Sequence, residues 1–216
     1  EAGGKPLLQH VIERLIGAGV HEVVINVHHF PELIRAFLSQ HNNFGMTVHI
    51  SDESDALLDT GGGLMKAAPL LAGDEPVLVH NVDVLSNLCF EKLIEYHKVK
   101  KSLATLVVRD RETRRYLLFG NDLRLTGWMN RSTGEIRRSV PGGAEIPLAF
   151  SGIQVIDPQF FKLVNRRGKF SLIDCYLELA ASFPVYGYRD DSTLWMDVGK
   201  PAELAAADRL LRESGT

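Results

Sequence analysis

The stretch from residue 57 to residue 85, LLDTGGGLMKAAPLLAGDEPVLVHNVDVL, constrains this chain more than any other. A polar loop, Ser51 to Asp55, leads into Gly61, Gly62 and Gly63, and an apolar helical pattern of Leu64, Ala67, Ala68 and Leu71 follows at once. After Pro76 the run Val77, Leu78, Val79 predicts a buried strand that ends in the polar cluster His80, Asn81 and Asp83. Glycines ahead of a helix predict a turn whose backbone can approach a flat or anionic ligand, because no Cβ intervenes and positive φ is available. The helix N-terminus behind them adds free N–H groups and a positive dipole end. Asp83 falls at the carboxyl end of a strand, where open α/β sheets bind ligands. Each feature alone has a plainer reading. A glycine run is more often a loop, and a strand-end aspartate also serves as a helix N-cap. Together they point to nucleotide chemistry with a metal.

The flanking sequence predicts an α/β fold. Residues 5–18 carry the stripe Leu7, Leu8, Val11, Ile12, Leu15, Ile16 of a helix that Gly19 ends. Glu22 to Val27 (EVVINV) reads as a strand too apolar for a solvated edge. Pro31 opens a second helix with Leu33, Ile34, Phe37 and Leu38 inward, and Met46 to Ile50 is the next strand. A helix from Phe90 to Val99 and the strand Leu103 to Val108 continue the alternation, which implies right-handed crossovers and a mostly parallel, Rossmann-like sheet. Tyr116 to Phe119, the turn Gly120-Asn121-Asp122, and Leu123 to Trp128 then form an antiparallel hairpin excursion. Pro147 to Ile156 returns as a strand in which Ser151 and Gly152 mark a bulge or a close approach. Helices at 158–164 and 171–181, a strand at Val185 to Tyr188 and a final helix to Arg212 complete the chain.

At 216 residues with 45% hydrophobic content the chain is most simply one domain, 1–216. A net charge of -3 argues against a nucleic-acid partner, no apolar run reaches membrane-spanning length, and an oligomer is left open. Cys89 and Cys175 stand alone and read as reduced packing residues in a cytoplasmic protein.

Asp197 is the second chemical feature. It lies between Met196 and Val198 and ahead of Gly199-Lys200-Pro201, an awkward place for a surface carboxylate. One reading makes it the cap of the last helix. The other brings Asp83 and Asp197 together on one Mg²⁺, a cation commonly held by one or two carboxylates plus substrate phosphates. That arrangement suits phosphoryl or nucleotidyl transfer.

The segments LLDTGGGL, VLVHNVDVL, FSGIQVI and WMDVGKPAEL, in this order and spacing, resemble the bacterial sugar-1-phosphate nucleotidyltransferases. The nearest subgroup is that of N-acetylmuramate-1-phosphate uridylyltransferases and mannose-1-phosphate guanylyltransferases, and the likeness covers nearly the whole chain. It implies that an NTP and a sugar 1-phosphate are converted to an NDP-sugar and pyrophosphate. By position it implies that Asp83 and Asp197 hold the metal, that Asp59, Thr60, Gly61, Gly62 and Asn81 line the nucleotide, and that Ser151 and Gly152 border the sugar. Three departures stand out. Asn81-Val82-Asp83 replaces the family's Asn-Gly-Asp. Trp128-Met129-Asn130 stands roughly where many relatives carry Glu-Lys-Pro against the sugar phosphate, which leaves Arg114, Arg115, Arg131, Arg137 or Arg138 as alternative partners. The chain also starts beyond the family's first strand and Gly-rich signature loop, so it is expected to be an N-terminally truncated piece, poorly active alone, whose missing strand would sit between the strands at Glu22 and Val77. Two rival readings remain: a non-catalytic binding or regulatory relative, and a phosphocholine-type cytidylyltransferase.

Overall fold

The structure, a computed structural model, describes residues 1–71, 73–140, 143–191 and 193–213. Its first half runs α1 (Leu7–Gly17), β1 (Glu22–Val27), α2 (Pro31–Gln40), β2 (Thr47–Asp52), α3 (Asp59–Ala67), β3 (Val77–His80), β4 (Val84–Ser86), α4 (Phe90–Lys100) and β5 (Ala104–Arg109). The second runs β6 (Arg115–Phe119), β7 (Leu125–Asn130), β8 (Glu135–Arg138), β9 (Ile146–Ile156), α5 (Gln159–Leu163), α6 (Leu172–Ala180), β10 (Val185–Arg189), β11 (Trp195–Asp197) and α7 (Pro201–Glu213). These form the Rossmann-like α/β architecture that the alternating pattern predicts.

The main sheet is mixed. β5 pairs in parallel with β10, while β3 and β5 lie antiparallel on either side of β9. Consequently β3, β5 and β10 share one direction, and their carboxyl ends share one end of the sheet. The start of β9 also pairs with β6, from which β7 and β8 extend the antiparallel excursion. Successive strand side chains face opposite ways. Leu106 and Val108 therefore join the core under α5 and α6, while Val107 joins Val11, Leu15 and Leu93 under α1 and α4. Burial on both faces explains why β5 and the end of β9 read as unbroken apolar runs. Removing one such anchor, the fully buried Phe160, would cost about 3–5 kcal/mol. The bulge expected near Ser151-Gly152 is present: the β5–β9 register shifts between Leu106 and Val108, and Gly152 adopts φ +76°.

Other expectations are corrected. β1 is an edge strand, paired in parallel with β2 and with no other strand among the described residues; Val23, Val24 and Ile25 are half-buried. Its apolar residues pack in a local core with Ile12, Leu38 and Met46. Leu33 is exposed, because the inward stripe of α2 is Ile34, Phe37 and Leu38 and Leu33 falls outside it. Ser51 and Asp52 belong to β2, not to a loop. Cys175 is a packing residue, whereas Cys89 is exposed, and both are free thiols.

The glycine triplet is helical. Gly61, Gly62 and Gly63 are buried inside α3, and none has positive φ. Each permits a close approach by this chain's own segments. A Cβ on Gly61 would lie 2.5 Å from the Phe170 ring, one on Gly62 2.1 Å from the Gly168 carbonyl oxygen, and one on Gly63 2.3 Å from Glu53 Oε1. Glu53, itself buried, accepts from Asn26 Nδ2 and the Leu58 N–H at 2.7 and 3.0 Å, which clamps the loop before α3 onto β1.

Gly62→Ala tests this packing. Alanine gains about 1 kcal/mol over glycine in a helix, but crowding a rigid core costs about 1–3 kcal/mol, and here the neighbour is backbone. The variant should lose up to about 2 kcal/mol net in urea denaturation; a stabilised Gly62→Ala protein would refute the packing role.

Candidate active site

Two short strands assemble the site. β4 and β11 pair antiparallel with Asp197 opposite Val84, and the Val198 N–H donates to the Asp83 carbonyl at 2.8 Å. Asp83 sits in the turn between β3 and β4, closed by the Val84 N–H donating to the Asn81 carbonyl at 3.2 Å. Both carboxylates reach the same spot above Gly199: a Cβ placed there would meet Asp83 Oδ2 at 3.1 Å and Asp197 Oδ1 at 3.2 Å. The glycine leaves that space open.

The electrostatics are those of an under-neutralised pair. Burial, and then the charge of Asp197, push the half-buried Asp83 carboxyl above the ordinary carboxylate range. Asp197 is exposed, contrary to its apolar neighbours in sequence, because β11 is only three residues long and turns its aspartate outward. Its Oδ1 accepts from the Gly199 N–H at 3.1 Å, so it also shapes the turn into α7. The donor set is two hard carboxylates, and no group of three or more His, Cys, Asp or Glu suited to a metal occurs among the described residues. Such a set fits Mg²⁺, which keeps several positions for water and phosphate, better than a closed tetrahedral zinc site.

Asn81, Ser151 and Gly152 lie beside the β4 and β11 segments that carry this pair. The Asn81 N–H donates to the Gly152 carbonyl at 2.9 Å, and a Cβ on Gly152 would meet Val84 Cγ2 at 2.8 Å and Asn81 Nδ2 at 3.1 Å. Asn81 is exposed, but Ser151 and Gly152 are buried, so neither offers surface to a sugar. The Ser151 hydroxyl has no partner among the described residues, and the Ser151 carbonyl accepts from Trp195 Nε1 at 2.9 Å.

The other expected nucleotide residues have different neighbours. Asp59 and Thr60 are exposed at the start of α3, with Asp59 at φ +62°. The Gly61 and Gly62 N–H groups donate to the Phe170 carbonyl at 2.9 and 3.3 Å, and Thr60 Oγ1 accepts from the Leu172 N–H at 3.0 Å. The expected cradle of free glycine N–H groups is therefore already filled by the 168–172 segment.

Arg111 and Trp195 were not among the residues expected from sequence. The Arg111 guanidinium lies 4.4 Å over the Trp195 ring, and its Nη2 donates to the Phe150 carbonyl at 3.0 Å. Burial lowers its pKa from the ordinary arginine value, and the charge of Asp197 opposes that shift, which places Arg111 within electrostatic reach of Asp197. The available signal was its position two residues beyond β5, at the same end of the sheet as Asp83.

Comparison with known proteins bears on this arrangement. The family model described as Nucleotidyl transferase matches residues 1–124. N-acetylmuramate alpha-1-phosphate uridylyltransferase from Caulobacter vibrioides is 32% identical over 97% of the chain and 86% of its own length. Mannose-1-phosphate guanyltransferase from Yarrowia lipolytica is 29% identical over 99% of the chain, which spans only 58% of that relative. Among solved structures, HddC from Yersinia pseudotuberculosis superposes with a TM-score of 0.76 at 18% identity, covering 97% of this chain and 87% of that one. A UDP-glucose pyrophosphorylase complexed with UDP-glucose gives 0.78 at 13% identity, with coverages of 99% and 89%. These two show the shared fold.

The raised Asp83 pKa has a consequence for stability. Its protonated form is favoured in the folded chain, so the stabilisation is present below the unfolded carboxyl's pKa and lost as pH rises through the higher folded value. Asp83→Asn removes that loss. In metal-free buffer at pH 7 the variant should melt at a higher temperature than the parent, with the two converging in acid. A variant that melts lower at pH 7 would show that Asp83 is not destabilised.

Proposed function

The chain belongs to the nucleotidyl transferase family, and on that premise we propose that it joins a nucleoside triphosphate to a sugar 1-phosphate, releasing pyrophosphate. It is a sugar-1-phosphate nucleotidyltransferase. The observation that carries this reading is the meeting of Asp83 and Asp197 over Gly199.

In the reaction a phosphate oxygen of the sugar 1-phosphate attacks the α-phosphorus of the triphosphate. The new P–O bond forms as the bond to the β-phosphate oxygen breaks, and pyrophosphate leaves with that electron pair. No protein nucleophile is required. Catalysis of this type rests on alignment and charge neutralisation. Asp83 and Asp197 would hold Mg²⁺, which when bound supplies positive charge to phosphate oxygens. The turn after β3 and the β4–β11 ladder fix the separation of the two carboxylates before substrate arrives. The exposed Asp59, Thr60 and Asn81 face outward for the nucleotide. We place the reaction in the cytoplasm, among nucleoside triphosphates and reduced thiols, as a step in making a nucleotide-sugar, including a precursor of the cell envelope. No helix among the described residues is long and apolar enough to cross a membrane.

A matrix of nucleoside triphosphates against sugar 1-phosphates, read by pyrophosphate release, tests the activity. One base and one sugar should stand out, EDTA should abolish turnover, and Mg²⁺ should restore it. Asp83→Ala and Asp197→Ala should each lower kcat/KM by about 10²-fold or more, the scale of removing one preorganised electrostatic group. Near-parental turnover by either variant would sink the carboxylate assignment, and ligand binding with no turnover of any pair would favour a non-catalytic relative.

A further inference from the structure

The acceptor in this reaction brings a phosphate to a site that carries two carboxylates. A phosphate monoester bears about −1.5 to −2 charge at neutral pH, so it needs a cation that those carboxylates have not already consumed. Of the arginines near this end of the fold, Arg114, Arg115 and Arg131 are exposed, and three others are paired with carboxylates. Arg109 donates to Asp190 at 3.0 Å, Arg137 to Asp174 at 2.7 Å, and Arg138 to Glu145 at 3.0 Å.

Arg111 differs. Among the described residues no carboxylate lies within ion-pair distance of it, yet it is half-buried and held in a defined place. Trp195 stacks on its flat face at 4.4 Å, and Phe150 O takes one edge through Nη2. Trp195 is itself fixed by its Nε1 donating to Ser151 O, so both side chains are tied to consecutive carbonyls of the β9 bulge. Nη1 makes only a long 3.4 Å bond to Glu112 O. The charge of Asp197, two residues beyond Trp195 on β11, acts on this guanidinium. A held guanidinium with a spare edge and no ion-paired carboxylate among the described residues is suited to a phosphate oxygen, because a planar fork loses little freedom on binding. Cation–π contact with an anchored indole keeps it from swinging onto the carboxylates.

We propose that Arg111, braced by Trp195, binds the phosphate of the sugar 1-phosphate through its Nη1 edge and sets it beside Asp83 and Asp197 for in-line attack. The inference rests on the transferase reading and adds the residue that recognises the acceptor. It also separates the two substrates: Arg111 acts on the sugar phosphate and leaves the nucleoside triphosphate to other groups.

The test compares the parent with Arg111→Gln and Arg111→Lys, using mannose 1-phosphate, N-acetylmuramate 1-phosphate and inorganic phosphate as probes in calorimetric titrations with a non-reacting nucleoside triphosphate analogue present. Arg111→Gln should weaken the sugar 1-phosphate that binds the parent by about 10-fold or more, with the analogue's affinity changed by less than about 2-fold. Arg111→Lys should recover part of the loss, since it restores charge without the fork. In steady state the KM for sugar 1-phosphate should rise while that for triphosphate holds. Equal sugar-phosphate affinity in parent and Arg111→Gln overturns the proposal. So does a parallel loss for both ligands with a lowered melting temperature, which marks a merely structural role. A parent that binds the sugar phosphate through Arg111 but never releases pyrophosphate would instead defeat the transferase reading and leave this one standing.

Discussion

The ladder between β4 and β11 is the contact on which the site depends. It is short, yet it joins the turn after β3 to the segment before α7 and so brings together two aspartates from distant parts of the chain. The juxtaposition is unfavourable in itself. Burial and a neighbouring negative charge both oppose ionisation of Asp83. A fold retains such a pair where charge of the opposite sign is to be bound, and the side-chain-free position at Gly199 keeps the space between the carboxylates clear.

Everything around the ladder limits its movement. The apolar cluster of Ala2, Leu85, Val198 and Ala207 packs α7 beneath it, and Gly3 donates to Asp208 at 2.8 Å, so both ends of the described chain meet at its back. In front, the β9 bulge supplies carbonyls to Arg111 and Trp195. That bulge exists because Gly152 can adopt a left-handed φ that a side chain would disfavour. Strain-tolerant backbone, an anchored ring and a held cation thus surround the carboxylates before any ligand arrives.

The glycine triplet shows how one sequence signal can serve a different physical purpose from the one first assigned. Three small residues imply that something comes close. Here it is the Phe170 ring, the Gly168 carbonyl and Glu53, and the helix they pack against is positioned by those contacts. A helix N-terminus whose first glycine N–H groups are already satisfied by Phe170 is a packed joint, and its outward face, Asp59 and Thr60, is what remains for a ligand.

Much of the fold was legible because periodicity reports burial. The strands β5 and β9, the hairpin β6–β7 and the helices α1, α4 and α6 fall where their apolar patterns place them. The apolarity of β1 did not predict its pairing, because a hydrophobic strand can be covered on its face while one edge stays unpaired among the described residues. The sequence by itself determined the α/β class and singled out Asp83, Asp197 and the irregularity at Ser151-Gly152, since these depend on local backbone preference, side-chain pattern and motif order. Only the tertiary structure decided that β4 and β11 pair, that the glycines face Phe170 and Glu53, and that Arg111 lies over Trp195. Those are contacts between residues far apart in the chain, and strands as short as β4 and β11 carry too few residues to announce a partner through local pattern.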